Sequence, residues 1–464
     1  MKDTNTRSLA PSSGTSRREF LKTIGTAAFA MPFIAHDLRA APPSSRIRHA
    51  SFGAAGMAWA DLTAIASVPN VEVVAVCDVD TARMADARKR FPKARFYQDW
   101  RRLLDAEAKN IDSVNVSTPD HSHAPIAVSS MLLGKHVYGQ KPLAHNLYET
   151  RRMKEVARER NVVTQMGIQI HAGAYYRSAV AFLRSGGIGK IKEVHSWCAK
   201  HWGDKGKLPT RTDRVPPNLL WDVWLGGCAD RPYIGGGYYH PGNWRKRLDF
   251  GTGTLGDMAC HILDPVFGAL DLGSPTSVRS EGPKPNEVNW ATNAKVILTF
   301  DGTPRTAGKS LTLFWYDGSV FPPRKIADLV TEWSAPPGDP NRKRLRGLPS
   351  GGSIFVGTDG VMLLEHISQA RLYPREKFAD IKLPRERSGN HWAEFVEACR
   401  GNGKTQTGFD YSGPLTEAVL LGGVASRFPK TTLLWDSANS RFDIAEANAF
   451  TRREYRSGWA VPGL

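Results

Sequence analysis

The chain has 464 residues, 41% hydrophobic and 23% charged, which is too long for one ordinary core and enough for two soluble domains with appendages. Of the formal charge of +17, residues 1–45 hold six basic and three acidic side chains, leaving about +14 elsewhere. The densest basic run, Arg342-Lys343-Arg344 with Arg346, has no interleaved aromatics, so it reads as a solvated loop and excludes a nucleic-acid partner. Five scattered cysteines without a C-x-x-C pair exclude a disulfide framework and a zinc ribbon, and no apolar run is long enough to span a bilayer.

In chain order, the first signal is Ser16-Arg17-Arg18-Glu19-Phe20-Leu21-Lys22, followed by a mildly apolar stretch over residues 23–35 and by Leu38-Arg39-Ala40. Paired arginines before such a stretch read as a twin-arginine export signal with a cleavage site. Residues 1–45 are therefore expected to be signal and linker, the export machinery a partner, and the destination the periplasm or beyond. That route carries folded proteins, so a cofactor loaded in the cytoplasm travels with the chain.

From residue 46 the pattern becomes strand, tight turn, helix. A buried strand at 49–52 leads into Gly53-Ala54-Ala55-Gly56-Met57-Ala58. Against G-x-G-x-x-G the turn keeps the first glycine and has Ala55 and Ala58 at the second and third. The second position must admit a pyrophosphate, and the third must let helix and strand pack closely. The apolar strand 71–77 ends at Asp78, twenty residues past Ala58, where an acceptor for a ribose hydroxyl is expected. No arginine follows it directly, which favours NAD over NADP.

Strand and helix keep alternating. The strand 111–116 runs into Thr118-Pro119-Asp120-His121-Ser122-His123, and the strand 135–138 ends at Gln140-Lys141-Pro142. A charged helix over 147–160 precedes the strand 162–166. Repeated βα units imply a doubly wound parallel sheet whose ligands bind beyond the strands' carboxyl ends, where these polar clusters fall. The cofactor set is then Gly53, Ala55, Gly56, Met57, Ala58, Asp78, Thr118, Pro119, His123, Gln140 and Gln169.

With these motifs, and with Gly256-Asp257-x-x-x-His261, the chain resembles the glucose–fructose oxidoreductase / inositol dehydrogenase / rhizopine-catabolism (Gfo/Idh/MocA) family over residues 46–440. The resemblance implies an NAD-binding Rossmann domain (46–168) and a substrate and oligomerisation domain (169–440), α+β with a large, mostly antiparallel open sheet. It also implies a sugar or polyol substrate. The family's usual strand-end tripeptide is Glu-Lys-Pro. Gln140 stands at its first position, so the charge that would offset Lys141 is missing from that place.

Oxidising a hydroxyl needs a base, a cation to steady the alkoxide, and a hydride acceptor. Asp257 and His261 lie at i and i+4 on a helix expected to start near Thr254, so they share a face. The expected roles are His261 as base, Asp257 positioning it, and Lys141 as cation. His171, His240, Asn243, Trp244 and Arg245 are candidate substrate contacts, near aromatics that suit pyranose faces: Trp197, Trp202, Trp221, Trp224, Tyr233, Tyr238 and Tyr239. No resident metal is expected.

Export makes a dissociable cofactor a liability, so retention and internal recycling of NAD are expected. Other readings are glycoside cleavage through a transient ketone, a metal-dependent hydrolase using Asp120, His121, His123, Asp257 and His261, or a non-catalytic sugar-binding protein. Residues 322–352 read as an excursion, 354–364 as a hairpin turning at Asp359-Gly360, and 391–399 and 413–425 as helices. A homo-oligomer is expected, with the aromatic tail 441–464 docking on its own chain or on a partner subunit.

Overall fold

The computed structural model describes residues 46–335 and 339–464. The export signal read at residues 1–45 lies outside the described residues.

Strands β1 (Ile47–Phe52), β2 (Val71–Cys77), β3 (Arg95–Tyr97), β4 (Ser113–Val116), β5 (His136–Gly139) and β6 (Thr164–Met166) form one parallel sheet, order β3-β2-β1-β4-β5-β6. Its connections include α1 (Met57–Ala66), α2 (Trp100–Glu107), α3 (His123–Leu132) and α4 (Leu147–Glu159). Helices on both faces bury nearly every residue of β1 and β4, polar ones included, with the buried His49 ring bonded to Ser113 and Asn115. Strand β3 and helix α2 carry too short or too charged a pattern to stand out in the sequence. They close the sheet's edge, with Asp99 capping α2 through the Arg101 amide.

The second sheet uses β7 (Ile191–Cys198), β8 (Ser277–Ser280), β9 (Lys295–Asp301) and β10 (Ser310–Asp317). A separate ribbon, β11 (Glu332–Trp333) with β12 (Arg344–Arg346), follows. The large sheet resumes with β13 (Gly351–Gly357), β14 (Val361–Glu365), β15 (Arg371–Tyr373), β16 (Thr432–Asp436) and β17 (Arg441–Phe442). Its nine strands run β15-β14-β13-β7-β10-β9-β8-β16-β17, antiparallel except where β7 meets β10. Strand β9 shows why one face is covered: Val296, Leu298 and Phe300 are buried while Lys295, Ile297 and Thr299 on the other face are only half-buried.

Three features depart from the sequence reading or settle what it left open. The basic run is only partly loop: Arg344 and Arg346 lie in the exposed strand β12, while Arg342, before it, lies 4.0 Å from the centroid of the Trp333 ring. Next, the chain returns to the first sheet after building most of the second. Helix α6 (His391–Cys399) packs on α1, and α7 (Phe409–Ala425) packs on α4. Finally, the tail docks on its own chain: Arg453 and Tyr455 both reach the buried Glu149 of α4, and the Trp459 ring lies under Arg101.

Candidate active site

The glycine turn is built as a ligand cradle. Gly53 has φ +100°, and a Cβ there would stand 2.7 Å from Ala58 Cβ and 2.7 Å from the Ser117 carbonyl oxygen, so only glycine fits. Ala58 is buried where helix meets strand, while Gly56 and Met57 are exposed and Ala55 half-buried at the start of α1. That first turn holds no acid, so its N–H groups and dipole stand open to an anion. Asp78 at the end of β2 accepts from the Ala54 amide at 3.0 Å and the Asp80 amide at 3.1 Å. Burial pushes its carboxyl up, and those two amides oppose the shift. Thr118 Oγ1 is buried without a protein partner beside this turn, and Pro119 is half-buried next to it. An open helix N-terminus, a strand-end acid and an orphaned hydroxyl suit a dinucleotide.

His123 plays a different part from direct contact. Its Nδ1 lies 2.8 Å from the Pro142 carbonyl oxygen and its Nε2 2.8 Å from that of Thr118. The buried ring ties together the loops after β4 and β5. His121 is likewise engaged by the Trp224 and Phe250 carbonyls. With both histidines facing backbone carbonyls, the metal-hydrolase reading loses its ligand set, and among the described residues no group of three or more His, Cys, Asp or Glu could hold a metal.

The centre of the site lies between the sheets. Lys141, just past β5, reaches α5 (Gly253–Ile262), where Nζ donates to Asp257 Oδ1 at 2.9 Å and to the Asp257 carbonyl at 2.7 Å. Asp257 does not hold His261, contrary to expectation. Its Oδ1 also takes Arg245 Nε at 3.3 Å, and its Oδ2 takes Trp202 Nε1 at 2.8 Å and Lys200 Nζ at 3.2 Å. Four donors leave the carboxylate nothing for a residue one turn along. Burial opposes its charge, but the three cations outweigh it and hold the carboxyl well below the usual range.

His261 sits on the same helix with Nδ1 buried and unpartnered. Burial first, then the Lys141 ammonium and His366, hold its ring well below the ordinary histidine value. Its ring centroid is 6.1 Å from that of His366, whose Nδ1 lies 3.0 Å from the Tyr176 hydroxyl. Burial lowers His366 to about 4. A neutral imidazole beside an ammonium is a proton acceptor next to an oxyanion stabiliser.

Other assigned residues scatter. His171 pairs with Asp264 at 2.9 Å, and Tyr411 donates to the same carboxylate at 2.6 Å; burial opposes protonation of His171, but Asp264 wins and raises it. Gln169 and Gln140 both point into the first sheet, toward Asp61. His240 was expected at the substrate; its Nε2 instead lies 3.0 Å from Asp80 Oδ2, two residues past Asp78, on the cofactor side. Asn243 donates to the Gly237 carbonyl, and buried Trp244 belongs to an aromatic cluster with Trp224, Tyr239 and Phe250. Of the five substrate candidates, only Arg245 joins Lys141 and Asp257.

Sequence reasoning passed over Lys200, His366, Asp61 and Glu149. Lys200 stands just past a strand end, the same kind of position as Lys141, and Asp61 is a lone acid in an otherwise apolar helix, so both carried a signal. His366 and Glu149 carried none, since only the tertiary fold brings them to their partners.

Two profiles of one oxidoreductase family, Gfo/Idh/MocA, match the chain: the NAD-binding Rossmann fold over residues 47–168 and the C-terminal α/β domain over residues 190–306, together just over half of it. A levoglucosan dehydrogenase of Pseudarthrobacter phenanthrenivorans is 26% identical over 43% of this chain and 42% of its own length. The matched segments span 42%, 57% and 60% of the first three curated relatives. Among solved structures, the WlbA dehydrogenase from Bordetella pertussis, in complex with NADH and UDP-GlcNAcA, superimposes with TM-score 0.57 at 15% identity, covering 84% of this chain and 99% of that one. An aldose-aldose oxidoreductase from Caulobacter crescentus, complexed with glycerol, gives 0.53 at 14% identity, covering 84% and 99%.

Proposed function

The chain belongs to the Gfo/Idh/MocA oxidoreductase family, and from that premise we propose that it oxidises a CH–OH group of a sugar or polyol with a tightly held NAD, as an exported enzyme. The observation that carries this reading is the ion pair from Lys141 to Asp257, which joins the cofactor sheet to the helix bearing His261. NAD, when bound, supplies the hydride acceptor. Gly53–Ala58, Asp78 and Thr118 would hold it. Lys141 presents its remaining N–H to the substrate oxygen, His261 takes the hydroxyl proton, and Asp257 fixes Lys141 rather than His261.

Retention and recycling of the cofactor have support in one feature. Residues 199–252 cross back over the end of β2: the Leu220 amide donates to the Val79 carbonyl, the Thr81 amide to Asn218, and Asn218 and His240 both hold Asp80. The tail fastens this strap from outside, with Arg456 donating to the Gly226 and Asp222 carbonyls. Such a wall stands beside the acid proposed for the ribose. Export rests on Ser16-Arg17-Arg18-Glu19-Phe20-Leu21-Lys22, and recycling follows from the need to reuse a cofactor that cannot be replaced after export.

The test is acid release of dinucleotide from protein purified without added cofactor, followed by a screen of sugars and polyols for absorbance of reduced nicotinamide. Stoichiometric NAD and a reducible signal are expected. Protein that neither carries nor binds dinucleotide would sink the reading.

A further inference from the structure

We propose that the substrate carries its own negative charge, a carboxylate or phosphate on the sugar; this rests on the oxidoreductase reading above and specifies its substrate class. Three cations from three segments converge on one carboxylate: Lys141 at 2.9 Å, Lys200 at 3.2 Å and Arg245 at 3.3 Å from Asp257. Among the described residues, Lys141, Lys200 and Arg245 form an ion pair with no carboxylate other than Asp257, so cations outnumber it three to one. Asp264 is paired with His171 and Tyr411 and Asp204 with Arg247, while Asp120 accepts from the uncharged Thr252 hydroxyl. His261 and His366 face the same cations and stay neutral beside them.

The surplus is not there for the dinucleotide. Its phosphates have their own cradle at the N-terminus of α1, where an Arg83 guanidinium nitrogen stands 3.7 Å from the position of a Cβ on Gly56. Oxidised nicotinamide adds a positive charge, so a neutral sugar would leave Lys141, Lys200 and Arg245 with Asp257 as their one paired carboxylate.

Position separates the roles of the three. The Lys141 side chain is 12% exposed, whereas Arg245 is 28% and Lys200 47% exposed. The inner cation serves the reacting oxygen, and the outer pair marks where an anionic substituent sits. Arg245 is held over two indoles, 4.2 Å from the Trp244 ring centroid and 5.4 Å from that of Trp202, so its fork is fixed in advance. A fixed guanidinium and a half-exposed ammonium together suit anionic oxygens better than hydroxyls.

The experiment uses the full chain with NAD in excess. Methyl glycosides of glucose, galactose and mannose are compared with the matching methyl uronosides and with the hexose 6-phosphates. At least one anionic sugar is expected to exceed its neutral twin in kcat/KM by about tenfold or more at low salt, with the gap narrowing as salt screens it. Carboxylate and phosphate arms show which anion is used, and either supports the proposal. Lys200→Gln and Arg245→Gln should each shrink the anionic-to-neutral ratio several-fold, whereas a merely structural role would lower both twins together. Neutral glycosides used as well as their charged twins in every pair overturn this proposal and leave the oxidoreductase reading standing. Dinucleotide that no polyol or sugar reduces overturns both.

Discussion

Gln140 donates its side-chain amide to the buried carboxylate of Asp61 at 2.8 Å. Asp61 also accepts from Ser117 at 2.8 Å, Trp392 at 3.0 Å and Gln169 at 3.5 Å, and no cation is among these partners. Burial pushes its carboxyl up, and the four donors oppose the shift. A glutamate at 140 would set a second carboxyl against the first. The departure from Glu-Lys-Pro thus has a local cause, and the charge that balances Lys141 comes from Asp257 instead.

Gln140→Glu should therefore lower stability by roughly 2–4 kcal/mol at neutral pH, because two facing buried carboxyls cannot both ionise and one must be held protonated. Urea unfolding gives the magnitude. Adding Asp61→Asn should restore most of the loss; a double variant no better than the single would refute the pairing.

Lys141→Ala should leave bound NAD unchanged and reduce turnover by about 10²–10⁴-fold, the range for removing a charged group from a transition state. Asp257 keeps Lys200, Arg245 and Trp202, so the fold should survive. Dinucleotide released by acid and the melting temperature check both halves of the claim.

His261 must be neutral to accept a proton. Since burial and Lys141 hold its ring well below the usual value, kcat/KM should show no acid limb between about pH 6 and 8, and should fall only under more acidic conditions. A bell with an inflection near the ordinary histidine value would assign the base elsewhere.

Stability should also fall with acid, for a related reason. Burial lowers His49 and His366 to about 4, and His121 and His391 to about 3. Above about pH 6.5 neither state binds these protons; below it the unfolded chain takes them up and the fold does not. Each such group costs roughly 2 kcal/mol by pH 5. Melting temperature should decline from pH 7 to 5, and His49→Gln should flatten the slope.

Glu149 is buried under Arg453 and Tyr455, and burial of Arg453 is outweighed by Glu149, which raises its pKa. Glu149→Ala should cost about 3–5 kcal/mol, as for a buried charge left unpaired. It should also speed NAD loss on gel filtration, because the tail that fastens residues 199–252 is anchored there. Unchanged NAD retention in a folded variant would separate the tail from the cofactor.

Much of the first sheet was legible because strands alternate with helices and end at polar clusters, residues 53–58 after β1, 118–123 after β4 and 140–142 after β5. Lys141, Asp257 and His261 were legible as residues, by spacing and motif. Their wiring was not. Helical spacing put Asp257 beside His261, but three cations and an indole arriving from residues 141, 200, 202 and 245 outcompete a neighbour one turn away. The surroundings of His240 and Trp244 were hidden for another reason: a loop near α5 in sequence folds back over β2 in space. The second sheet's register depends on pairings far apart in the chain, which no local pattern encodes.

The ammonium of Lys141 finds its counter-charge on a helix of the opposite lobe rather than one residue upstream. A relative's first lobe grafted here would bring its own glutamate and a surplus anion, and this chain's first lobe grafted elsewhere would arrive with Gln140 and depend wholly on a foreign aspartate. Modular in outline, the lobes form a matched set, and productive recombination between homologous chains has to exchange Gln140, Asp61 and the partners of Asp257 together.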